Sequence, residues 1–128
     1  MIVVDTSVWI AASRQPILAA TLRELLEADE VALAVPVRLE LLTGLAKHQR
    51  AAFKRGLRSV PLIYPTDETW QQLLPTIEKA ADAGQHFELA DLLIAALANE
   101  IGGLVWSLDK DFDRMERLKL VSLYALPH

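Results

Sequence analysis

The chain has 128 residues and a formal net charge of −4 at pH 7, with 52% hydrophobic and 23% charged residues. This length suits one domain with one core, so we expect residues 1–128 to fold as a single unit. The absence of cysteine excludes disulfides, thiolate metal sites and a cysteine nucleophile. No apolar run is long enough to cross a membrane, and the N-terminus lacks a signal-peptide pattern. We therefore predict a cytoplasmic protein that does not bind a membrane.

Strand and helix patterns alternate along the chain. Short apolar runs predict strands over residues 1–4, 31–35, 60–64, 104–107 and 120–123. Helical spacing and helix-breaking residues predict helices over 7–12, 16–28, 36–45, 47–57, 66–83, 88–101 and 109–117. The alternation indicates an α/β fold in which helices cover both faces of a parallel sheet.

Two of the predicted helices allow more specific expectations. In the helix over 66–83 we expect Trp70, Leu73, Leu74 and Ile77 to face inward, and Pro75 to kink the helix or end its first half. The helix over 88–101 is apolar around nearly its whole circumference. Such a helix belongs in the core.

Four acids stand at the ends of these elements. Asp5 and Asp109 follow predicted strands, whereas Glu40 and Asp91 open predicted helices. Each acid alone would more often be a helix cap or a first-turn residue. In a parallel sheet, however, the carboxyl ends of strands and the amino ends of the following helices share one edge, so the four acids should converge.

Converging carboxylates repel one another and raise each other's pKa unless a cation is present. Asp91 has no basic neighbour in sequence to pair with, and an unpaired carboxylate held against buried surface costs several kcal/mol. A ligand set made only of oxygen atoms selects hard ions, Mg²⁺ or Mn²⁺. We therefore predict a metal site at this edge of the sheet.

The segments around the four acids resemble the four signatures of the PIN-domain nucleases. The matching stretches are Asp5-Thr6-Ser7, residues 38–44 around Glu40, residues 91–98 beginning with Asp91, and residues 107–112 around Asp109. The resemblance spans the whole chain. In length and in the lack of further domains, the chain looks most like the VapC toxins of bacterial and archaeal toxin–antitoxin pairs.

The resemblance implies a three-layer α/β/α sandwich and a toxin that cleaves single-stranded or loop RNA with metal-activated water. It makes Asp5, Glu40, Asp91 and Asp109 the catalytic quartet and the ligands of Mg²⁺, with Mn²⁺ as the other candidate ion. Asp5 and Asp91 would be the principal ligands. The other predicted site residues are Thr6, Ser7 and Ser107, which would orient ligands, Asp111 and Asp113, which compete with Asp109 for its role, and Glu88, which could assist.

The basic residues have two interpretations. The segment 36–58 has six Lys and Arg residues against one acid, Glu40. As an ordinary helix face, Lys47, Arg50, Lys54 and Arg58 would only be solvated. As a functional surface, the same stripe of Lys47, Arg50, Lys54 and Arg58 would follow the RNA backbone. Arg38, half a turn from Glu40, would lie near the scissile phosphate.

The resemblance also implies partners. A small antitoxin would block the acidic site, and helices within residues 16–45 could form the groove that receives it. A homodimer, or a hetero-oligomer with the antitoxin, is expected on the same basis. The alternative function is a non-catalytic PIN-like module that binds a metal and a partner. A phosphatase of the haloacid-dehalogenase type would need an acid where Ser7 stands.

Overall fold

Short apolar segments form a parallel sheet of four strands in the computed structural model, which describes residues 1–126. The strands are β1 (Ile2–Val4), β2 (Val31–Ala34), β3 (Leu62–Ile63) and β4 (Leu104–Trp106). Their spatial order is β3-β2-β1-β4, and every pairing is parallel. Ile2 of β1 lies opposite both Val31 and Leu104, so β1 is an interior strand.

Seven helices occur within residues 1–126. They are α1 (Thr6–Ala12), α2 (Pro16–Glu27), α3 (Val35–Thr43), α4 (Lys47–Gly56), α5 (Asp67–Asp82), α6 (Leu89–Glu100) and α7 (Lys110–Arg117). The predicted α/β fold with a parallel sheet is confirmed. None of these helices is both long and apolar enough to cross a bilayer.

The sheet lies between two separate hydrophobic cores, one on each face, as a three-layer sandwich requires. Alternate residues of β1 point to opposite faces. Val3 belongs to the core that contains most of α6, whereas Ile2 and Val4 belong to the core formed with α2. In α6, the buried residues are Leu92, Leu93, Ile94, Ala95, Leu97 and Ala98, which agrees with the prediction of a core helix.

All five predicted strands are shorter in the structure, β1 and β4 by one residue each. β2 ends at Ala34 because α3 begins at Val35, and Pro36 fits that first turn since its missing N–H needs no partner there. β3 contains only two residues. The strand predicted over 120–123 is reduced to a single parallel bridge between Val105 and Leu123.

The predicted inward face of α5 is wrong for three of its four residues. Trp70, Leu74 and Ile77 are 48%, 61% and 42% exposed, whereas Leu73 is buried. The buried stripe contains Thr69, Leu73 and Ala80. Thr69 can occupy the core because its hydroxyl donates a 2.6 Å hydrogen bond to the Glu100 carboxylate of α6.

Pro75 does not end the first half of α5, which is continuous from Asp67 to Asp82. A proline inside a helix leaves the carbonyl four residues earlier without its usual partner. Pro75 is exposed, so water can satisfy that carbonyl on the outer side of the helix.

Candidate active site

The four predicted carboxylates line one cleft of about 350 Å³. Asp5 follows β1 and Asp109 follows β4, while Glu40 lies on α3 and Asp91 in the first turn of α6. The complete lining is Asp5, Thr6, Ser7, Glu40, Glu88, Ala90, Asp91, Asp109 and Asp111. The structure thus brings the whole quartet together at the carboxyl-end edge of the sheet, beside the ends of β1 and β4.

Asp5 is nearly enclosed, with 6% of its surface exposed. One of its carboxylate oxygens, Oδ2, accepts hydrogen bonds from the Ser7 hydroxyl at 2.8 Å, the Ser107 hydroxyl at 2.8 Å and the Ser7 backbone N–H at 3.4 Å. Within residues 1–126 no hydrogen bond reaches the other oxygen, Oδ1. The carboxylate is therefore held rigidly through one oxygen while the other is available to a cation.

The two serines also position the loop that carries Asp109. The Ser107 hydroxyl accepts a hydrogen bond from the Asp109 backbone N–H at 3.0 Å, and the Ser7 hydroxyl accepts one from the Leu108 N–H at 3.0 Å. The two hydroxyl oxygens are 3.3 Å apart. Ser7 and Ser107 thereby connect the end of β1 to the start of α7 through hydrogen bonds to Asp5 and to the backbone at Leu108 and Asp109.

Thr6 has a buried hydroxyl without a hydrogen-bond partner among residues 1–126. Such a group costs about 1–3 kcal/mol if nothing satisfies it. Thr6 is part of the cleft lining. A water molecule or a hydrated ion in the cleft would supply the missing partner.

Asp91, Asp109 and Asp111 form the tightest acidic group. Each offers a carboxylate oxygen, and these three oxygens lie within 4.8 Å of one another. Two oxygens bound to the same Mg²⁺, each at about 2.1 Å, can be no more than about 4.2 Å apart. Small rotations of the side chains would therefore allow them to share one ion.

Arg114 orients Asp111 and was not identified from the sequence as a site residue. Its guanidinium forms a 2.6 Å ion pair with Asp111, donates a hydrogen bond to Gln85 and stacks on Phe87 at 4.7 Å from the ring centre. Asp111 and Arg114 are three residues apart on α7, a spacing that allows such a pair. That spacing was the feature of the sequence from which the ion pair could have been predicted.

Asp91 is the acid of the cleft whose pKa is clearly shifted. Its pKa is raised to about 7, first by burial and then by the negative charges of Asp5, Asp109, Asp111 and Glu88. A bound cation would reverse these repulsions and favour the ionised carboxylate. The ligand set therefore fits a hard divalent cation: the oxygen atoms are clustered, Asp5 has a free oxygen, and the Thr6 hydroxyl lacks a partner.

Two other predicted acids are less central. Glu40 lines the cleft but is exposed to solvent, so it lies at the open side of the site. Asp113 is exposed and does not belong to the cleft lining. The structure thus favours Asp109 and Asp111 over Asp113 as the acids of α7 that face the cleft.

The predicted basic residues do not line the acidic cleft. Arg38 and Lys54 line a different cavity, whereas Lys47 and Arg50 are exposed and line neither. Arg38 and Glu40 are two residues apart, which corresponds to about 200° around a helix. That angle places their side chains on opposite sides of α3, consistent with the half-turn separation expected from the sequence, and Arg38 faces away from the cleft.

Comparison with known proteins agrees with this geometry. The family model for the PIN domain matches residues 2–118. VapC ribonuclease Mb1587 of Mycobacterium bovis is 33% identical over 125 residues, covering 92% of this chain and 93% of the relative. Ribonuclease VapC18 of Mycobacterium tuberculosis is 33% identical over 117 residues, covering 88% and 85%.

Solved structures show the same fold. VapBC2 from Rickettsia felis, bound to a promoter DNA fragment, has a TM-score of 0.79 at 17% identity and covers 99% of this chain and 100% of that one. VapBC-1 from nontypeable Haemophilus influenzae has a TM-score of 0.74 at 18% identity, with 97% of each chain covered. From the family model and the sequence relatives together, the chain belongs to the PIN-domain family, alongside the VapC proteins.

Proposed function

We propose that this chain is a Mg²⁺-dependent endoribonuclease and the toxin of a type II toxin–antitoxin pair. Its substrate would be single-stranded or loop RNA. The observation that carries the proposal is the cleft in which Asp5, Asp91, Asp109 and Asp111 converge with no cation of the protein lining it. The VapC relatives, which are named ribonucleases, support the same reaction class.

In this proposal the acids and the two serines of the cleft have separate roles. Asp5, fixed by Ser7 and Ser107, and Asp91 would be the main ligands of Mg²⁺, with Asp109 and Asp111 beside them. Glu40 would complete the set directly or through water. The bound ion would supply Lewis acidity, activating water for attack on a phosphodiester and offsetting the charge that develops. Because the pKa of Asp91 is about 7 in the metal-free chain, the molecules in which it is protonated would release that proton when Asp91 becomes a ligand.

The direct test is incubation of the purified protein with single-stranded RNA in the presence of Mg²⁺, Mn²⁺ or EDTA. We expect fragments with Mg²⁺ and with Mn²⁺ but not with EDTA. Asp5→Asn and Asp91→Asn should abolish the fragments, because each removes a charge from the ligand set. Undiminished cleavage by both variants would contradict the proposal.

The same assay separates this proposal from a non-catalytic module that binds a metal and a partner. Such a module would bind Mg²⁺, measured by calorimetry, yet would leave RNA intact in every condition. Mapping the cleavage sites on total cellular RNA would then identify whether the target is a transfer RNA loop, a ribosomal loop or messenger RNA.

This chain has an apolar groove of about 260 Å³ that would receive an antitoxin. The groove is formed by α1, α3 and α4 and is lined by Trp9, Ile10, Ser13, Leu41, Leu45 and Phe53. It overlaps only in part with the predicted region of residues 16–45, because α2 does not contribute. The structural neighbours from VapBC pairs support a partner of this kind. Co-purification of a protein that inhibits cleavage would support the pairing, whereas a non-toxic, unbound chain on expression alone would contradict it.

A further inference from the structure

A second cavity of the molecule is basic. It has a volume of about 360 Å³ and lies between α3, the C-terminal part of α4 and the two strands at that end of the sheet, β2 and β3. Its lining is Leu33, Arg38, Phe53, Lys54, Leu57, Arg58, Val60 and Leu62. Three cations and no acid therefore face one space, in a chain whose net charge is −4.

These three cations have no ion-pair or side-chain hydrogen-bond partner in the described part of the chain. Within residues 1–126 the one ion pair joins Arg114 to Asp111, and no side-chain hydrogen bond involves Arg38, Lys54 or Arg58. Arg38 is partly buried, so its charge is also less well solvated than that of a fully exposed arginine. Unpaired cations that share a cavity repel one another, and an anion bound between them would remove that repulsion.

The rest of the lining is apolar and includes one aromatic ring, Phe53. Phe53 and Leu57 are partly buried, and both line the cavity. Proteins that bind single-stranded nucleic acid combine a cationic groove for the backbone with aromatic rings for the bases. The volume is within the usual range of ligand pockets, roughly 300–1,000 Å³. The lining therefore suits a group that is both anionic and flat.

The cavity and the acidic cleft are related through α3. Arg38 faces the cavity and Glu40 faces the cleft, so the two sites are separated by the thickness of one helix, about 10 Å. An RNA strand that occupies both sites would have to pass α3 between them. The acidic cleft repels RNA in the absence of an ion, so a separate cationic site would supply attraction that the cleft does not.

We propose that this basic cavity binds a backbone phosphate of the same RNA strand, at a distance of two or more nucleotides from the cleaved bond, with a neighbouring base against Phe53. The proposal rests on the proposed function, since it takes RNA as the substrate. The cavity contacts a part of the substrate that does not react. It therefore contributes equally to binding of the substrate and of the transition state, and its loss raises KM without lowering kcat.

The test compares Lys54→Ala and Arg58→Ala with Arg55→Ala. Arg55 is also exposed and adjacent to Lys54 on α4, but it does not line the cavity. We expect the first two variants to raise KM for a single-stranded RNA about tenfold each, with kcat unchanged. In the inactive Asp5→Asn background, each should reduce the slope of log affinity against log salt concentration by about 0.7, as loss of one phosphate contact does. Arg55→Ala should change neither quantity.

Thermal melts of the variants establish that they fold. If Lys54→Ala and Arg58→Ala match Arg55→Ala in KM and in salt slope, the proposal is overturned while RNA cleavage stands. If both variants lose affinity for a polyglutamate peptide but keep their affinity for RNA, the cavity is a protein-docking site and the proposal is again overturned. If the wild-type protein binds RNA through Lys54 and Arg58 but never cleaves it, the cavity proposal holds and the proposed nuclease activity fails.

Discussion

The acidic cleft and the basic cavity lie on opposite sides of α3 and are built in different ways. In the cleft, Asp5 is buried and held by two serine hydroxyls and a backbone N–H. In the cavity, Lys54 and Arg58 are exposed and have no hydrogen-bond partner within residues 1–126. Fixed groups suit chemistry, because a reacting geometry must be held closely. Long mobile cations suit attraction of a charged strand without a strict geometry.

The largest expected difference between the cleft and the cavity is in the kinetics of Asp5→Asn. We expect kcat for RNA cleavage to fall about a thousandfold, because the ion loses its best-fixed ligand. RNA affinity should stay the same or increase, because one negative charge is removed from the cleft. Lys54→Ala should show the opposite pattern, with KM changed and kcat kept. The measurement is a steady-state rate series over RNA concentration.

Asp113→Asn is the matched control for that experiment. Asp113 is an acid of α7 but is exposed and outside the cleft lining, so its replacement should leave kcat and KM at wild-type values. A large loss of kcat in Asp113→Asn would mean that the start of α7 rearranges around the ion. A small loss in Asp5→Asn would remove the distinction between the two sites.

A smaller effect is expected from Ser107→Ala, which tests whether the cleft depends on its support. The Ser107 hydroxyl donates a hydrogen bond to Asp5 and accepts one from the Asp109 backbone N–H. Its loss should therefore make the positions of both Asp5 and Asp109 less fixed. Loss of such a supporting group typically costs about 10–100-fold in metal affinity or activity. A Mg²⁺ titration of cleavage should show the higher metal requirement. Ser122→Ala, which removes an exposed hydroxyl, should not change it.

The position of the cleft could be predicted from the sequence because it follows from topology. Once β1 and β4 are parallel neighbours, residues after their carboxyl ends must be close, and this brings Asp5 near Asp109. The choice between Asp109, Asp111 and Asp113 depends on side-chain directions in one turn of α7. That detail is set by local bonds such as the one from the Asp111 N–H to the Asp109 carboxylate, which is 2.9 Å long.

The prediction for the inward face of α5 failed because periodicity does not choose between neighbouring faces of a helix. Hydrophobic periodicity selected Trp70, Leu74 and Ile77 as the inner face of α5, yet the helix packs on α6 through the neighbouring stripe of smaller residues. The pattern defined the faces of the helix but not which face meets which neighbour.

The smallest expected effect concerns stability, and it depends on Asp91. The pKa of Asp91 is about 7 in the folded metal-free chain and 3.8 as a reference for the unfolded chain. Between these values the folded state binds more protons than the unfolded state, so the contribution of Asp91 to stability falls as pH rises. Asp91→Asn removes this dependence. In EDTA we therefore expect equal melting temperatures near about pH 4, and a variant more stable by a few degrees near about pH 8.

Magnesium should reverse the order at the higher pH, because the ion binds the ionised wild-type carboxylate and stabilises only the folded state. Melting curves recorded by circular dichroism at several pH values, with EDTA and with Mg²⁺, measure both effects. Lys54→Ala should melt with the same pH dependence as the wild type, since the basic cavity lies on the other side of α3 from the clustered acids. A difference between Asp91→Asn and wild type that is independent of pH would mean that neither burial nor the acidic neighbours raise the pKa of Asp91 in the folded chain, and would contradict the prediction.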